Sequence, residues 1–286
     1  MHFTKMEGCG NDYIYIDGSK EKVEDKPGLA RKLSDRNFGV GGDGIIFINP
    51  GKDAEFEMEM YNADGSRSEM CGNGIRCVAK YIHDKGLSKS NPLTIESFGV
   101  TRTVDLHLKD DKVETVTVNM GAPILVPEKI PAVPETPGDS VLIDCPLATD
   151  SKTYRITCVS MGNPHAVIFT DDTETVPLEQ DGPVIECHER FPNNINVEFV
   201  KVVDESHIDM RVWERGTGET LACGTGACAS VTACILNGKT GRKVDVKLKG
   251  GVINVEWRES DNHVYMTGPA EFVFDGEIET AKLQTT

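Results

Sequence analysis

Hydrophobic residues follow a helical spacing at two places in the chain. After residue 71, apolar residues stand at positions 75, 78, 79 and 82, and this i, i+3, i+4, i+7 spacing predicts an amphipathic helix. A second run, residues 227–236, holds no charged residue and predicts a helix enclosed on every side. Gly86 and Gly238 follow the two runs, where a glycine commonly ends a helix.

Short apolar or alternating runs on either side of these helices predict β-strands. In the first half the predicted strands cover residues 13–16, 45–48, 56–61, 93–97, 101–108 and 113–120. In the second half they cover residues 166–169, 196–200, 208–214, 244–248, 252–257 and 264–266. A further short helix is predicted over residues 27–35. Each half is therefore expected to wrap many short strands around one central helix.

The two halves carry the same motif, CGNG at residues 71–74 and CGTG at residues 223–226, which are 152 positions apart. The same offset, without a gap, aligns Phe47 with Phe199 and Met58 with Met210. An unbroken register of this length predicts one structural unit used twice, with a first half over residues 1–119 and a second over 120–268. Five prolines between residues 123 and 137 cannot join a sheet interior and predict the crossover between the halves.

Composition narrows the possible partners and the compartment. The 286 residues carry a net charge of −16, so the surface repels phosphate backbones and anionic lipid, and we expect no nucleic-acid or membrane partner. No apolar run reaches the roughly 18 residues of a membrane span, and the N-terminus lacks a signal-peptide pattern. Nine cysteines, an odd number, predict free thiols in a reducing cytoplasm. Small buried apolar side chains are expected at Cys145, Cys158, Cys187 and Cys234.

Each CGxG motif places a cysteine at the start of a predicted helix. The first N–H groups of a helix lack internal partners and carry partial positive charge, and adjacent glycines let a carboxylate approach them. The same position favours a thiolate, so we expect the cysteine pKa to be lowered there. A thiolate and a thiol on opposite faces of a carbon atom can remove a proton and return another. Cys71 and Cys223 are therefore predicted to be an acid/base pair that needs no cofactor.

Three other interpretations are weaker. Both cysteines could be structural residues at helix starts, but two copies in register disfavour that. A metal site is disfavoured because the Cys71–Cys77 and Cys223–Cys228 spacings do not complete a typical zinc ligand set. The glycine-rich run 39–44 lacks the preceding strand and following helix of a dinucleotide-binding fingerprint.

Six motifs in this order resemble diaminopimelate epimerase, and the resemblance covers essentially the whole chain. They are GND at 10–12, NADGS at 62–66, CGNGIRC at 71–77, GNPH at 162–165, ERGTGET at 214–220 and ACGTGA at 222–227. The resemblance implies an α/β (α+β) fold of two pseudo-symmetric halves, each a mixed, mostly antiparallel β-barrel around a central helix. It also implies that a C-terminal tail, about residues 269–286, packs with the first half.

The resemblance further implies an isomerase that converts LL-2,6-diaminopimelate into the meso form for lysine and peptidoglycan synthesis, without pyridoxal phosphate, as a homodimer. The implied catalytic thiols are Cys71 and Cys223. Backbone amides for the reacting carboxylate come from Gly72, Asn73, Gly224 and Thr225. The rest of this amino dicarboxylate substrate is held by Asn11, Asn62, Asn163, Asn196, Glu214 and Arg215. His165 and Glu214 are expected to tune one thiol.

One departure from the family and two rival functions accompany this prediction. Some family members carry Gln where this chain has Gly44. Glu214 stands at the repeat position of Asn62, and Asn196 at that of Gly44, so the repeat diverges at polar pocket positions, as an asymmetric ligand requires. One rival is an epimerase of the same fold acting on proline or glutamate, although proline racemases resemble CGHG at the first motif. The other is a non-catalytic binding module, which would not need both cysteines.

Overall fold

The chain forms two compact units in the computed structural model, which describes residues 1–68 and 71–279. Unit 1 holds Met1–Val118 and the chain from Gly268 onward, and unit 2 holds Asn119–Thr267. The described part of the expected tail, residues 269–279, belongs to unit 1, and residues 280–286 lie outside the described residues.

Unit 1 begins with seven strands and two helices in the order β1, β2, α1, β3, β4, α2, β5, β6, β7. Their bounds are β1 His2–Gly8, β2 Asn11–Asp17, α1 Lys26–Ser34, β3 Gly44–Pro50, β4 Phe56–Asn62, α2 Gly72–Asp84, β5 Leu93–Ser97, β6 Val100–Lys109 and β7 Lys112–Gly121.

Unit 2 contains the next elements, which come after a short 3-10 turn at Pro127–Lys129. They are β8 Cys145–Ala148, β9 Thr153–Ser160, β10 Pro164–Phe169, α3 Leu178–Glu186, β11 Asn196–Asp204, β12 His207–Glu214, β13 Gly218–Glu219, α4 Gly224–Leu236, β14 Lys243–Leu248, β15 Gly251–Trp257 and β16 Val264–Pro269. The last strand, β17 Glu271–Glu277, lies in unit 1 and pairs antiparallel with β1.

Strand pairing follows the same order in both units. β2 pairs parallel with β3, and Tyr13 lies opposite Gly44. β10 likewise pairs parallel with β11, and His165 lies opposite Asn196, each residue 152 positions further along. Antiparallel pairs β3–β4 and β11–β12 repeat at the same offset, with Ile45 opposite Tyr61 and Val197 opposite Trp213. Parallel pairs β4–β5 and β12–β14 repeat in direction, but their registers differ by one residue. The sequence repeat is therefore also a repeat of sheet register in the strands up to β4 and β12.

The central helix of each unit packs against several strands of its own unit. α2 contacts β1, β2, β5 and β6, and its predicted apolar stripe is fully buried. α4 contacts β9, β10, β11, β12, β14 and β15. Every residue of α4 from Gly226 to Cys234 is buried, which confirms the predicted enclosure over that part of the helix, whereas Ile235 and Leu236 at its end are partly exposed. Its buried Thr232 hydroxyl donates to the Cys228 carbonyl at 2.8 Å, so this polar side chain is satisfied without reaching water.

The hydrophobic pattern of the sequence did not predict several elements. β1 buries Thr4 and Lys5 among its apolar residues, so its sequence does not alternate as a half-buried strand should. α3 contains Pro183, which argues against a helix in sequence. Cys187 follows α3 and is exposed, so the burial predicted for it is wrong, whereas Cys158 and Cys234 are buried as predicted. Cys145 is only partly buried.

Within residues 1–68 and 71–279, every helix is too short or too polar to cross a bilayer.

Both central helices end on a left-handed glycine, and replacing one should measurably destabilise the fold. Gly238 has φ +64° and donates to Ile235 O at 3.0 Å, while Lys239 N donates to Cys234 O at 2.9 Å. A Cβ at residue 238 would meet no atom within 4 Å, so Gly238→Ala carries only backbone strain. We expect it to lower the free energy of unfolding by about 1 kcal/mol in urea denaturation. Gly241→Ala, which avoids the left-handed region, is the matched control and should not destabilise.

Candidate active site

Cys71 and Cys223 are the N-cap residues of α2 and α4. Both have extended backbones, with φ −130° and ψ 111° at Cys71 and φ −120° and ψ 109° at Cys223. Cys71 Sγ accepts from Gly74 N at 3.2 Å, and Cys223 Sγ accepts from Gly226 N at 3.4 Å. Each sulfur thus takes the place that a serine or aspartate oxygen usually fills at a helix start. The predicted helix starts are confirmed.

A side chain on the last glycine of each motif would crowd a buried neighbour. A Cβ on Gly74 would lie 2.9 Å from Ile46 Cδ1, and one on Gly226 would lie 2.6 Å from Glu198 Oε1. The amides of Gly72 and Asn73 in unit 1, and of Gly224 and Thr225 in unit 2, occupy the first helical positions. Helix geometry makes these positions suitable for a carboxylate.

Side-chain amides surround Cys71. Its Sγ lies 3.3 Å from Asn11 Oδ1, and Asn73 Nδ2 lies 3.5 Å from the same oxygen. Asn73 Oδ1 accepts from Arg76 Nη1 at 2.9 Å. The Cys71 residue is partly exposed, whereas Cys223 is buried. The structure therefore brings together Asn11, Cys71 and Asn73, three residues that the resemblance implied for the site.

Asn62 ends β4 and takes part in the turn that follows. Its Nδ2 donates to Ser66 Oγ at 3.0 Å, and its backbone N donates to Ser66 O at 2.9 Å. The backbone of Asn62 pairs with Gly44, so the two positions are neighbours in the sheet. Substrate binding by Asn62 stays a prediction.

A chain of polar side chains runs from a buried carboxylate to Cys223. His165 Nδ1 lies 2.6 Å from Glu198 Oε1, and its Nε2 lies 3.0 Å from Asn163 Oδ1. Asn163 Nδ2 donates to Thr225 Oγ1 at 3.2 Å, which lies 3.4 Å from Cys223 Sγ. Both His165 and Glu198 are fully buried. The carboxylate fixes the imidazole and, through it, the Asn163 amide.

The surroundings of Cys223 favour its protonated form. Burial raises the pKa of the Cys223 thiol well above its usual range, and the charges of Glu214 and Glu198 raise it further. Burial also raises the pKa of Glu214, whose Oε1 accepts from Thr220 Oγ1 at 2.5 Å. The expected lowering of the cysteine pKa is therefore wrong for Cys223, because desolvation and two carboxylates outweigh the helix start.

Asn196 and Arg215 contact the backbone around this site. Asn196 Nδ2 donates to Pro164 O at 2.8 Å, and its Oδ1 accepts from Arg215 N at 2.9 Å. Arg215 Nη1 donates to Asn193 O at 3.0 Å. Asn196 thus ties the start of β10 to the end of β12, and its contact with substrate, like that of Arg215, stays a prediction.

Two fully buried charged residues near the cysteines were missed in sequence. Arg76 lies on α2 beside the apolar stripe, and Glu198 lies in the buried strand β11. The sequence signal for both residues was a charged residue inside an otherwise apolar run. Such a residue is rarely buried without a specific partner, so its position points to a buried polar contact. In the ranges 1–68 and 71–279, no group of three or more His, Cys, Asp or Glu side chains is arranged to hold a metal ion.

Known proteins share this sequence over nearly its full length. The family profile described as diaminopimelate epimerase matches residues 3–126 and 157–273. Diaminopimelate epimerase from Leptospira biflexa is 54% identical over 98% of this chain and 99% of its own. Diaminopimelate epimerase from Methanococcus maripaludis strain C6 is 50% identical over 98% of this chain and 100% of its own.

Solved structures share the fold at low identity. A phenazine biosynthesis protein of the PhzF family from Bacillus anthracis has a TM-score of 0.70 at 16% identity, covering 98% of this chain and 99% of its own. A probable proline racemase from Agrobacterium radiobacter K84 has a TM-score of 0.67 at 13% identity, covering 97% and 92%. These likenesses confirm the predicted mixed α and β fold class.

Removing the Glu214 charge should lower the pKa of Cys223. Glu214→Gln keeps an oxygen that can accept from Thr220 but removes a negative charge that disfavours the thiolate. We therefore expect alkylation of Cys223 by iodoacetamide, measured by peptide mass spectrometry across pH, to begin at lower pH than in the wild type. Glu205→Gln, at an exposed position of unit 2, is the matched control and should leave the profile in place. An unchanged profile in Glu214→Gln would contradict the electrostatic account.

Proposed function

The chain belongs to the diaminopimelate epimerase family, and we propose that it epimerises LL-diaminopimelate to meso-diaminopimelate by passing protons through Cys71 and Cys223. The observation that carries the two-thiol mechanism is the repeated geometry of the cysteines. Each is the N-cap of a buried helix, and each sulfur accepts from the third residue after it. A structural cysteine has no need of this geometry twice at one offset.

The first step removes the α-proton of the substrate. The substrate carboxylate is proposed to bind the starting amides of the two helices, at Gly72 and Asn73 and at Gly224 and Thr225. There the partial positive charge stabilises the extra negative charge that forms on proton loss. Positioned amides would supply the acidity, so the mechanism requires no pyridoxal phosphate or metal.

The second step returns a proton to the opposite face of the same carbon. Each turnover requires one thiolate and one thiol, and the direction of reaction exchanges their roles. Burial, together with the carboxylates beside Cys223, raises the pKa of this thiol, which supports Cys223 as the donor when Cys71 is the base. His165 and Glu214 are proposed to tune this thiol. His165 would act through Asn163 and Thr225, as the chain of contacts indicates.

The distal end of the substrate carries a second ammonium and a second carboxylate. Arg215 is proposed to bind the carboxylate, because a guanidinium offers two parallel donors. The remaining polar contacts are proposed for Asn11, Asn62, Asn163, Asn196 and Glu214. A site with this many polar groups supports an amino dicarboxylate with two charged ends over proline.

Two further features are proposed from composition and family resemblance. Nine cysteines, an odd number, support a reducing, cytoplasmic location. Resemblance to the family supports a homodimer. Size-exclusion chromatography with light scattering should then give about twice the chain mass of 31.3 kDa. A mass of one chain at micromolar concentration would exclude a stable dimer.

Loss of either proposed acid/base thiol should stop epimerisation. We expect Cys71→Ala and Cys223→Ala each to lower kcat/KM by at least about a thousandfold, because general acid–base catalysis is lost on one face. The measurement is NMR of α-deuterium incorporation from D₂O into LL-diaminopimelate under reducing conditions. Cys187→Ala, at an exposed position, is the matched control and should retain wild-type turnover.

The same assay separates the rival functions. Deuterium in diaminopimelate with formation of the meso product supports the proposal. Exchange only in proline or glutamate would keep the chemistry and discard the substrate. No exchange in any of them would favour a binding module. Wild-type turnover in Cys71→Ala or Cys223→Ala would disprove the two-thiol mechanism while leaving the substrate assignment intact.

A further inference from the structure

Asp43 holds the side chain of Asn11 by a direct hydrogen bond. Asn11 Nδ2 donates to Asp43 Oδ2 at 2.7 Å, and the same oxygen accepts from Asp12 N at 3.1 Å. Asp43 Oδ1 pairs with Arg36 Nη2 at 2.9 Å. Asp43 lies in the loop before β3, which places it next to Asn11 although 32 residues separate them.

The carboxylate determines which end of the Asn11 amide faces Cys71. An ionised carboxylate can only accept hydrogen bonds, so it must face the Asn11 NH₂ group. The other end of the planar amide, Oδ1, then faces the sulfur of Cys71 at 3.3 Å and Asn73 Nδ2 at 3.5 Å. If the amide turned over, its oxygen would oppose the Asp43 carboxylate, an arrangement with no donor between two acceptors.

In unit 2, different residues orient the equivalent side-chain amide. Asn163 stands at the repeat position of Asn11, but Ile195 stands at that of Asp43, and its side chain cannot accept a hydrogen bond. There the buried Glu198 fixes His165, whose Nε2 lies 3.0 Å from Asn163 Oδ1, so Asn163 turns its Nδ2 toward Thr225. The two equivalent amides are therefore held in opposite senses relative to their cysteines, and a carboxylate is responsible in each unit.

Charged neighbours keep Asp43 in place. Arg36 also pairs with Asp12 Oδ1 at 2.8 Å, and Lys5 pairs with Asp12 Oδ2 at 2.5 Å. Two cations thus face two carboxylates in this cluster, and Arg36 is the member that contacts Asp43 directly. The Arg36 side chain is 60% exposed and contacts the other oxygen of Asp43, so we expect the hydrogen bond between Asp43 and Asn11 to survive its removal.

We propose that Asp43 is a positioning residue that presents the Asn11 amide oxygen to Cys71. Cys71 Sγ then meets a donor, Gly74 N at 3.2 Å, and an acceptor, Asn11 Oδ1. The donor suits the thiolate, and the acceptor suits the S–H that forms when Cys71 takes up a proton. Without Asp43, the Asn11 NH₂ group can turn to the sulfur, which stabilises the thiolate and makes Cys71 a weaker base. This inference rests on the proposed acid/base role of Cys71.

The test compares Asp43→Ala with Asp43→Asn. In Asp43→Asn, the amide oxygen of the new side chain can still accept from Asn11 and from the backbone of Asp12. Its NH₂ group replaces the oxygen that pairs with Arg36, so the exposed guanidinium loses this contact and turns to solvent. We expect iodoacetamide to alkylate Cys71 about tenfold faster at neutral pH in Asp43→Ala, and within about twofold of wild type in Asp43→Asn and in Arg36→Ala. Peptide mass spectrometry measures the rate, with the exposed Cys187 as an internal standard for the reagent and the buried Cys234 as a check on folding.

A double-mutant cycle then shows whether Asp43 acts through Asn11. In the Asn11→Ala background, adding Asp43→Ala should change the Cys71 alkylation rate by less than about twofold. An equal rate increase in both backgrounds would overturn the proposal in favour of a through-space charge effect. Equal increases in Asp43→Ala and Asp43→Asn would also overturn it, as would no increase in Asp43→Ala.

The alkylation rate separates this proposal from the proposed function. If Cys71→Ala retained wild-type turnover, the catalytic role of Cys71 would fail, yet the orientation of Asn11 would still be tested by alkylation. If Cys71 is the acid/base, Asp43→Ala should also lower kcat/KM about tenfold while Asp43→Asn largely restores it. Full epimerase activity in Asp43→Ala, together with an inactive Cys71→Ala, would overturn the positioning role alone.

Discussion

The rest of the site depends on a helix that begins at a cysteine. Serine, threonine or aspartate at an N-cap satisfies the first N–H groups with a strong acceptor, whereas a thiol is a weak one and a thiolate a charged one. Cys71 and Cys223 cap α2 and α4 with sulfur at 3.2 and 3.4 Å from a glycine N–H. The helix start is thus poised to favour negative charge both on the sulfur and on a carboxylate beside it. Burial of both helices in their units holds this geometry rigid.

The backbone around the two cysteines is similar in both units, but the neighbouring side chains differ. Strand register repeats at an offset of 152, so the two cysteines share one backbone geometry. Cys223 is buried near Glu214 and Glu198, and burial and then the two carboxylates raise the pKa of that thiol. Beside Cys71 lie the neutral amides of Asn11 and Asn73, and Asp43 is proposed to act on the sulfur through Asn11. The two cysteines thus share a backbone geometry but have different neighbouring side chains. This difference suits a reaction that needs one protonated thiol and one thiolate.

Electrostatics is where sequence reasoning failed most clearly. A helix start alone predicts a lowered cysteine pKa. The fold, however, buries Cys223 and places two carboxylates near it, and the net effect is to raise the pKa of this thiol. Glu198 is 16 residues from Glu214 in sequence, and nothing local to either predicts that both act on Cys223. The backbone-binding Asn196 also has contacts that the sequence did not predict.

The sequence by itself determined the central helices, most strands, the repeat and the two cysteines. These features depend on local hydrophobic periodicity and on spacing along the chain, which can both be read without the fold. It did not determine β1 or α3, where buried polar residues or a proline interrupt the pattern. Only the tertiary structure decided which side chains meet. Parallel pairing of β2 with β3 brings Asn11 to Asp43, 32 residues further along the chain. Parallel pairing of β10 with β11 likewise brings His165 to Glu198, 33 residues further along. Hydrogen-bond polarity and burial depend on such contacts between distant residues, and they set whether a thiol keeps its proton.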